Sequence, residues 1–274
     1  VHCVKRLVEA HNANINALDR QEQTPLFAAV RGGRKECVLY LLNTKCDPCH
    51  TDVKDETALF EAARNGHQDV VALLIERGVS PGYRSKARQT AAFPAAHAGS
   101  LAVLARLLDS GARANDVDRD GRTALFGVHT VECAQLLLDR KCSVDTRDAS
   151  MRTALFEAEG HAVMRFLLDA GAAVNAPDSQ QQTALFKASE RGDIPAVRAL
   201  LEAKADGSVV DSKGQTVLFG ALPGASLELV RLLVCQAHAS PAVKDANGKT
   251  AQQVAKTARK EVADYLQKAV KDKG

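Results

Sequence analysis

Cys46-Asp-Pro-Cys49-His50 is the segment whose residue types could most directly do chemistry. Two thiolates at this spacing could supply half of a tetrahedral zinc site, and C-x-x-C-H is also the attachment sequence of c-type haem. Neither reading finds its missing parts. Zinc needs two further ligands, and Cys37, nine residues upstream, falls on the core side of a helical pattern; haem needs a pocket and a distal ligand. The segment reads as a loop whose small positions happen to be cysteine. His129-Thr-Val-Glu-Cys133 spaces two metal-capable side chains one helical turn apart, without an H-E-x-x-H arrangement or further ligands. Arg31-Gly-Gly33-Arg-Lys is a turn without the pattern of a Walker phosphate loop, and G-x-S-x-G is absent. No nucleophile, base and orienting acid stand at a recognisable spacing. The expectation is a protein that is not an enzyme and carries no cofactor or metal.

The elements that must position these residues follow from a recurrence. TPLF, TALF, TAAF, TALF, TALF, TALF and TVLF open at Thr24, Thr57, Thr90, Thr123, Thr153, Thr183 and Thr216, with a weakened TAQQ at Thr250. Successive starts differ by 33, 33, 33, 30, 30, 33 and 34 residues. A period in this range marks a solenoid, whose units cannot bury their apolar faces without neighbours. Function is then expected on an extended surface.

Within the unit that opens at Thr57, two short apolar patterns of helical type are separated at Gly66, which predicts an inner helix, a tight turn and an outer helix. Threonine is the expected N-cap of the inner helix, its hydroxyl accepting from a first-turn amide, at about 1 kcal/mol. The pairs Leu41/Leu42, Leu74/Ile75, Leu107/Leu108, Leu137/Leu138, Leu167/Leu168, Leu200/Leu201 and Leu233/Val234 form the expected core stripe of the outer helices. Five residues before each threonine stands an aspartate (Asp19, Asp52, Asp118, Asp148, Asp178, Asp211, Asp245), with Ser85 as the exception. Gly121, Gly214 and Gly248 follow three of these aspartates, as in a turn that an Asp side chain closes. The polar stretches are expected to project as hairpin-like fingers.

On these residues the chain resembles the ankyrin-repeat family over nearly all of its length. Thr24-Pro-Leu-Phe-Ala-Ala, Gly66-His67, Asp118-x-x-Gly121 and the paired leucines match that family's unit of a β-turn and two antiparallel helices. The resemblance implies an all-α repeat solenoid, an ankyrin-type stack of helix-turn-helix units with β-hairpin-like fingers. It departs from the family in one systematic way. Phe27, Phe60, Phe93, Phe126, Phe156, Phe186 and Phe219 stand where the family usually has histidine, and they are seven of the chain's eight phenylalanines. Apolar packing between units is expected in place of a polar link, roughly 1.5–3 kcal/mol for each well-buried ring.

The 274 residues, 46% hydrophobic and 25% charged, fit a single ankyrin-repeat domain, 1–274. It comprises a partial unit over 1–23, repeats opening at 24, 57, 90, 123, 153, 183 and 216, and a capping unit with a Lys-rich tail over 250–274. The chain opens within a unit, so Leu7 and Val8 would present an uncovered apolar face unless more protein precedes them. No apolar run approaches the roughly 20 residues needed to span a bilayer. Seven cysteines, an odd number at scattered positions, suggest free thiols and an intracellular, cytoplasmic or nuclear location.

In the resembled family partners are gripped by finger tips and by the exposed end of the inner helix. The corresponding residues here are Arg20, Gln23, Arg31, Lys54, Arg64 and Arg84, followed by Lys86, Arg119, Arg122, Arg152, Arg191 and Lys213. Over all such positions cations outnumber anions roughly four to one, although the net charge is only +3. A local basic face favours an acidic peptide or protein, with steering that weakens as salt rises. The two 30-residue units should form a notch walled by Arg122 and Arg152, and charge reversal there is expected to weaken capture without changing thermal stability. The expected function is a protein interaction module or scaffold. The alternative is the regulatory or substrate-recruiting arm of a larger enzyme, channel or ubiquitin-ligase adaptor. Nucleic acid is disfavoured, because the candidate face lacks aromatic stacking residues and its charge is modest.

Overall fold

A computed structural model describes residues 2–11, 13–44, 46–222, 226–255 and 260–271. Chain contacts separate into two compact units, Val1–Ser143 and Val144–Gly274. The first begins with helix α1 (His2–His11) and continues with inner and outer helices in pairs: α2 (Pro25–Arg31) with α3 (Lys35–Asn43), α4 (Ala58–Arg64) with α5 (Gln68–Glu76), and α6 (Ala92–His97) with α7 (Leu101–Asp109). Its last pair is a 3₁₀ turn, Ala124–Gly127, with α8 (Val131–Asp139). The second unit pairs α9 (Ala154–Glu157) with α10 (His161–Asp169), α11 (Ala184–Arg191) with α12 (Ile194–Glu202), α13 (Val217–Ala221) with α14 (Leu227–Cys235), and α15 (Ala251–Ala255) with α16 (Lys260–Lys271). No β-strand occurs among the described residues, and isolated bridges join Thr51 to Thr57 and Lys244 to Thr250.

Inner helices stack on inner helices within each unit, α2 on α4 on α6 and α9 on α11 on α13, while α3, α5 and α7 stack behind. The core lies between these rows. Leu26, Leu59, Leu125, Leu155, Leu185 and Leu218 of the tetrapeptides are at most 1% exposed. The first member of every paired-leucine set is buried, from Leu41 to Leu233, whereas most second members are half-buried because they lie toward the outer rim. The connection between inner and outer helices needs glycine for two reasons. Gly33 and Gly66 have φ of 60° and 71°, and a Cβ would meet the His67 ring at 2.7 Å or Ser100 Oγ at 2.8 Å. In the two 30-residue repeats the inner element is reduced to four residues, as 3₁₀ turn and as α9 respectively.

The expected threonine cap is not made. Thr24, Thr57, Thr123, Thr153, Thr183 and Thr216 occupy the N-cap with extended backbone, yet none of their side chains accepts a capping hydrogen bond. All six are buried, so the β-branched side chain packs inward and the residue acts through its carbonyl, as when Thr24 O accepts from Phe27 N at 3.0 Å. Side-chain caps occur on outer helices, from Thr130, Asp193 and Ser226. At the weakened eighth copy the half-exposed Thr250 forms a reciprocal pair: Gln253 N donates to Thr250 Oγ1 at 3.3 Å, and Thr250 N donates to Gln253 Oε1 at 2.9 Å. This is a capping box, and the glutamine that replaces an apolar residue there is part of it. The Leu7 side chain, residues 256–259 of the expected cap and residues 272–274 of the tail lie outside the described residues.

Candidate partner-binding surface

Every finger is closed in the same way. The backbone N–H of Asp19, Asp52, Ser85, Asp118, Asp148, Asp178, Asp211 and Asp245 donates to the carbonyl four residues on, at 2.8–3.0 Å. In the seven aspartate fingers the carboxylate Oδ1 accepts from the amides two and four residues on, all at 2.8–3.0 Å. The third residue past the aspartate or serine takes a left-handed conformation in all eight fingers: Glu22, Asp55, Arg88, Gly121, Met151, Gln181, Gly214 and Gly248. Glycine therefore marks only three of eight turns that share this backbone, and L-residues hold the position in the other five at a modest strain, Arg88 of the Ser85 finger included. Neighbouring fingers are joined by single backbone bonds, among them Lys86 N to Lys54 O at 2.9 Å and Arg119 N to Ala87 O at 2.9 Å.

This frame divides the expected binding residues into two sets. Arg31 donates to Glu61 at 2.8 Å and to Gln23 at 2.7 Å, and Arg64 pairs with Glu56 and Glu61 at 2.9 and 2.7 Å. Arg84 is paired with Asp116, and Arg191 reaches Ala158 O at 3.4 Å. Arg20, Lys54, Arg119 and Lys213 are exposed at the finger tips and make no ion pair among the described residues. Lys86, also exposed, gives its ammonium to Val53 O at 2.7 Å and keeps an uncompensated charge. Arg122 is half-buried. Arg152 pairs with Asp148 at 2.8 Å and with Glu157 at 2.5 Å. Charge reversal at Arg152 would set a third carboxylate against Glu157 and against Asp148, whose side chain is 1% exposed, so the expectation of unchanged stability is replaced by one of destabilisation.

Burial would raise the Glu61 carboxyl, but the hydrogen bond and charge of Arg31, with Arg64 and Asn65, outweigh it and hold the group below the ordinary glutamate value. The side chains of Cys46-Asp-Pro-Cys49-His50 go three ways. Cys46 is buried against Asp47 O, Cys49 faces Gly78 O, and His50 Nε2 lies 2.7 Å from Glu22 O. Burial, with the Asp47 charge added, pushes the Cys46 thiol up to about 11, which disfavours the thiolate a metal would require. His129 stands 3.1 Å from His97, whereas Cys133 is buried in α8.

Two cavities open on the inner-helix face, one in each unit, and they are built alike. The first, about 310 Å³, is floored by Phe93, Pro94 and Phe126 and rimmed by Arg64, Gln89, His97 and Arg122, with Gly127 at its wall. The second, about 430 Å³, has Phe186 and Phe219 on its floor, Gln182, Glu190, Lys213 and Gln215 on its rim and Gly220 at its wall. Both glycines stand four residues after the repeat threonine, where the other repeats have Ala28, Glu61, Pro94, Glu157 and Lys187. Beside Gly127 the phenylalanine pair is uncovered, whereas beside Gly220 it stays buried. The two rings of the first cavity are half-buried, and the other five of the series are at most 7% exposed. Sequence reasoning passed over Gly127 and Gly220, although a glycine at a fixed repeat position that elsewhere carries a side chain was a visible signal.

A sequence profile described as ankyrin repeats (3 copies) matches residues 1–85, 127–211, 160–247 and 185–273. Among solved structures the chain is similar to the human ASB11 ankyrin repeat domain, with 23% identity and a TM-score of 0.70, covering 78% of this chain and 98% of that one. No curated protein sequence matches. No described helix is long and apolar enough to cross a membrane.

Proposed function

Since this chain belongs to the ankyrin-repeat family, whose domains generally mediate protein–protein interaction and are typically non-enzymatic, we propose that it binds an acidic peptide or protein face across its finger tips and inner-helix ends. The observation that carries this reading is the uncompensated charge of Arg20, Lys54, Lys86 and Arg119 along four successive fingers of the first unit. Cations at the inner-helix ends, such as Arg31 and Arg64, are neutralised by Glu56 and Glu61 and serve the frame. Exposed charges of one sign steer encounter and lose strength as the Debye length shortens, from about 10 Å at 0.1 M salt to 3 Å at 1 M.

The test is the triple variant Lys54→Glu/Lys86→Glu/Arg119→Glu, compared with the wild type for anisotropy of labelled acidic peptides across a salt series. The expected result is binding that weakens with salt in the wild type, is lost in the variant, and leaves the melting temperature unchanged. Binding that is insensitive to both salt and the triple reversal overturns the reading.

A further inference from the structure

We propose that the cavity beside Gly127 is a socket for one aliphatic anchor side chain of an extended partner segment with carboxylates on either side of that anchor. The inference rests on the finger face being a protein-binding surface and adds where the partner's apolar side chain enters.

The socket recurs. Gln89, Phe93, His97, Asp118, Arg122, Phe126 and Gly127 occupy the same repeat positions as Gln182, Phe186, Glu190, Asp211, Gln215, Phe219 and Gly220 around the second cavity. What the two openings share beyond the repeat itself is glycine at the fourth position after the threonine. Gly127 has an ordinary negative φ, and a Cβ there would touch only the His97 ring at 3.7 Å. Neither backbone conformation nor crowding therefore demands glycine at this position, and its consequence is the opening itself.

The chemistry of the first socket specifies its occupant. Its floor is two half-buried phenyl rings and a proline, apolar surface that remains in water until a side chain covers it. A volume of about 310 Å³ is enough for one branched aliphatic side chain with the adjoining backbone. Asp118 is the one carboxylate among the lining residues, and it is already engaged: Oδ1 accepts from the amides of Asp120 and Arg122, and Oδ2 accepts from Gln89. Arg64 on the rim is balanced by Glu56 and Glu61, so the uncompensated charge near the socket comes from the finger cations Lys86 and Arg119 of the same unit. A partner lysine or arginine stacked on the rings would face these finger cations, whereas flanking carboxylates complement them. The second socket has mixed charge and rings at most 7% exposed, and it offers less to an anchor.

The test uses the full chain and labelled nine-residue peptides. One has a central leucine flanked by aspartates and glutamates, one replaces the leucine by alanine, and one replaces the acidic flanks by lysine. The acidic leucine peptide is expected to bind at least ten-fold more tightly than either comparison peptide. Gly127→Leu, which fills the socket, should weaken it more than ten-fold, while Gly220→Leu leaves it unchanged. Gly127→Glu, the residue that Glu61 and Glu157 place at the equivalent position, is the second variant in case the leucine disturbs folding, and a melting curve accompanies each. If the leucine and alanine peptides bind alike, if the lysine-flanked peptide binds better, or if no peptide binds, the socket is overturned. If peptide binding survives both Gly127 variants yet is lost in the finger triple variant, the socket falls and the finger surface stands. If neither set of variants matters, both readings fall.

Discussion

Gln23 donates its side-chain amide to Asp52 Oδ2 at 3.2 Å, so a residue beside one repeat threonine braces the turn aspartate of the next finger. Gln89 with Asp118, Gln182 with Asp211 and Gln215 with Asp245 repeat the contact at 3.1–3.5 Å. At the one place where the bracing position is a glutamate, Glu56, the following turn residue is Ser85 instead of aspartate. Two carboxylates would face each other there; with serine, Glu56 turns to Arg64.

Replacing Ser85 by aspartate should therefore depend on Glu56. Alone, Ser85→Asp gains the two amide hydrogen bonds of the other fingers but sets a second carboxylate beside Glu56. With Glu56→Gln the bracing contact forms as well. A double-mutant cycle by urea unfolding is expected to show favourable coupling of about 1 kcal/mol. Simple additivity would contradict the proposed contact.

The phenylalanine ladder is uneven, and its energetics should follow. Phe60 is 1% exposed in the packed row, so Phe60→Ala should cost about 3–5 kcal/mol. Phe126, half-buried on the cavity floor, should cost less than half as much. Chemical unfolding of the two variants side by side measures the ratio.

Thiol chemistry should separate the described cysteines into two groups. Cys49 and Cys235 are exposed, while Cys37, Cys46, Cys133 and Cys142 are buried. Alkylation of the folded chain followed by peptide mass spectrometry is expected to label the first pair before the other four, which react only on unfolding. Cys49 should remain a sluggish nucleophile, since burial and the Asp47 charge raise its pKa.

The Arg31–Glu61–Arg64 group should make stability sensitive to acid. Glu61 has a folded pKa below its unfolded one, so its contribution is present above the ordinary glutamate range and fades as pH falls through the folded value. The stability gap between wild type and Glu61→Gln should be widest near neutral pH and shrink on acidification from about pH 5. A gap that widens in acid would reverse the assigned sign.

Much of the architecture was legible because it is encoded within single repeats. The apolar spacing around Gly66 specifies two short helices, and the aspartate five residues before each threonine closes its own turn through amides two and four residues on. The threonine cap was misread: the local pattern identifies the N-cap residue correctly but not the direction of its side chain, which neighbouring packing turns inward. The exception at the end, Thr250 with Gln253, has its hydroxyl at a half-exposed helix start and caps as local rules expect.

From the order of residues alone came the period, the helix pairs, the fingers and the aromatic ladder, since each depends on atoms a few residues apart or on a repeated apolar position. Which cations are paired within the fold was decided by tertiary contacts, because Arg31 and Glu61 are thirty residues apart in the chain and 2.8 Å apart in space. The same holds for the cavities: a glycine creates an opening only where stacking has brought Phe93 and Phe126 side by side beneath it.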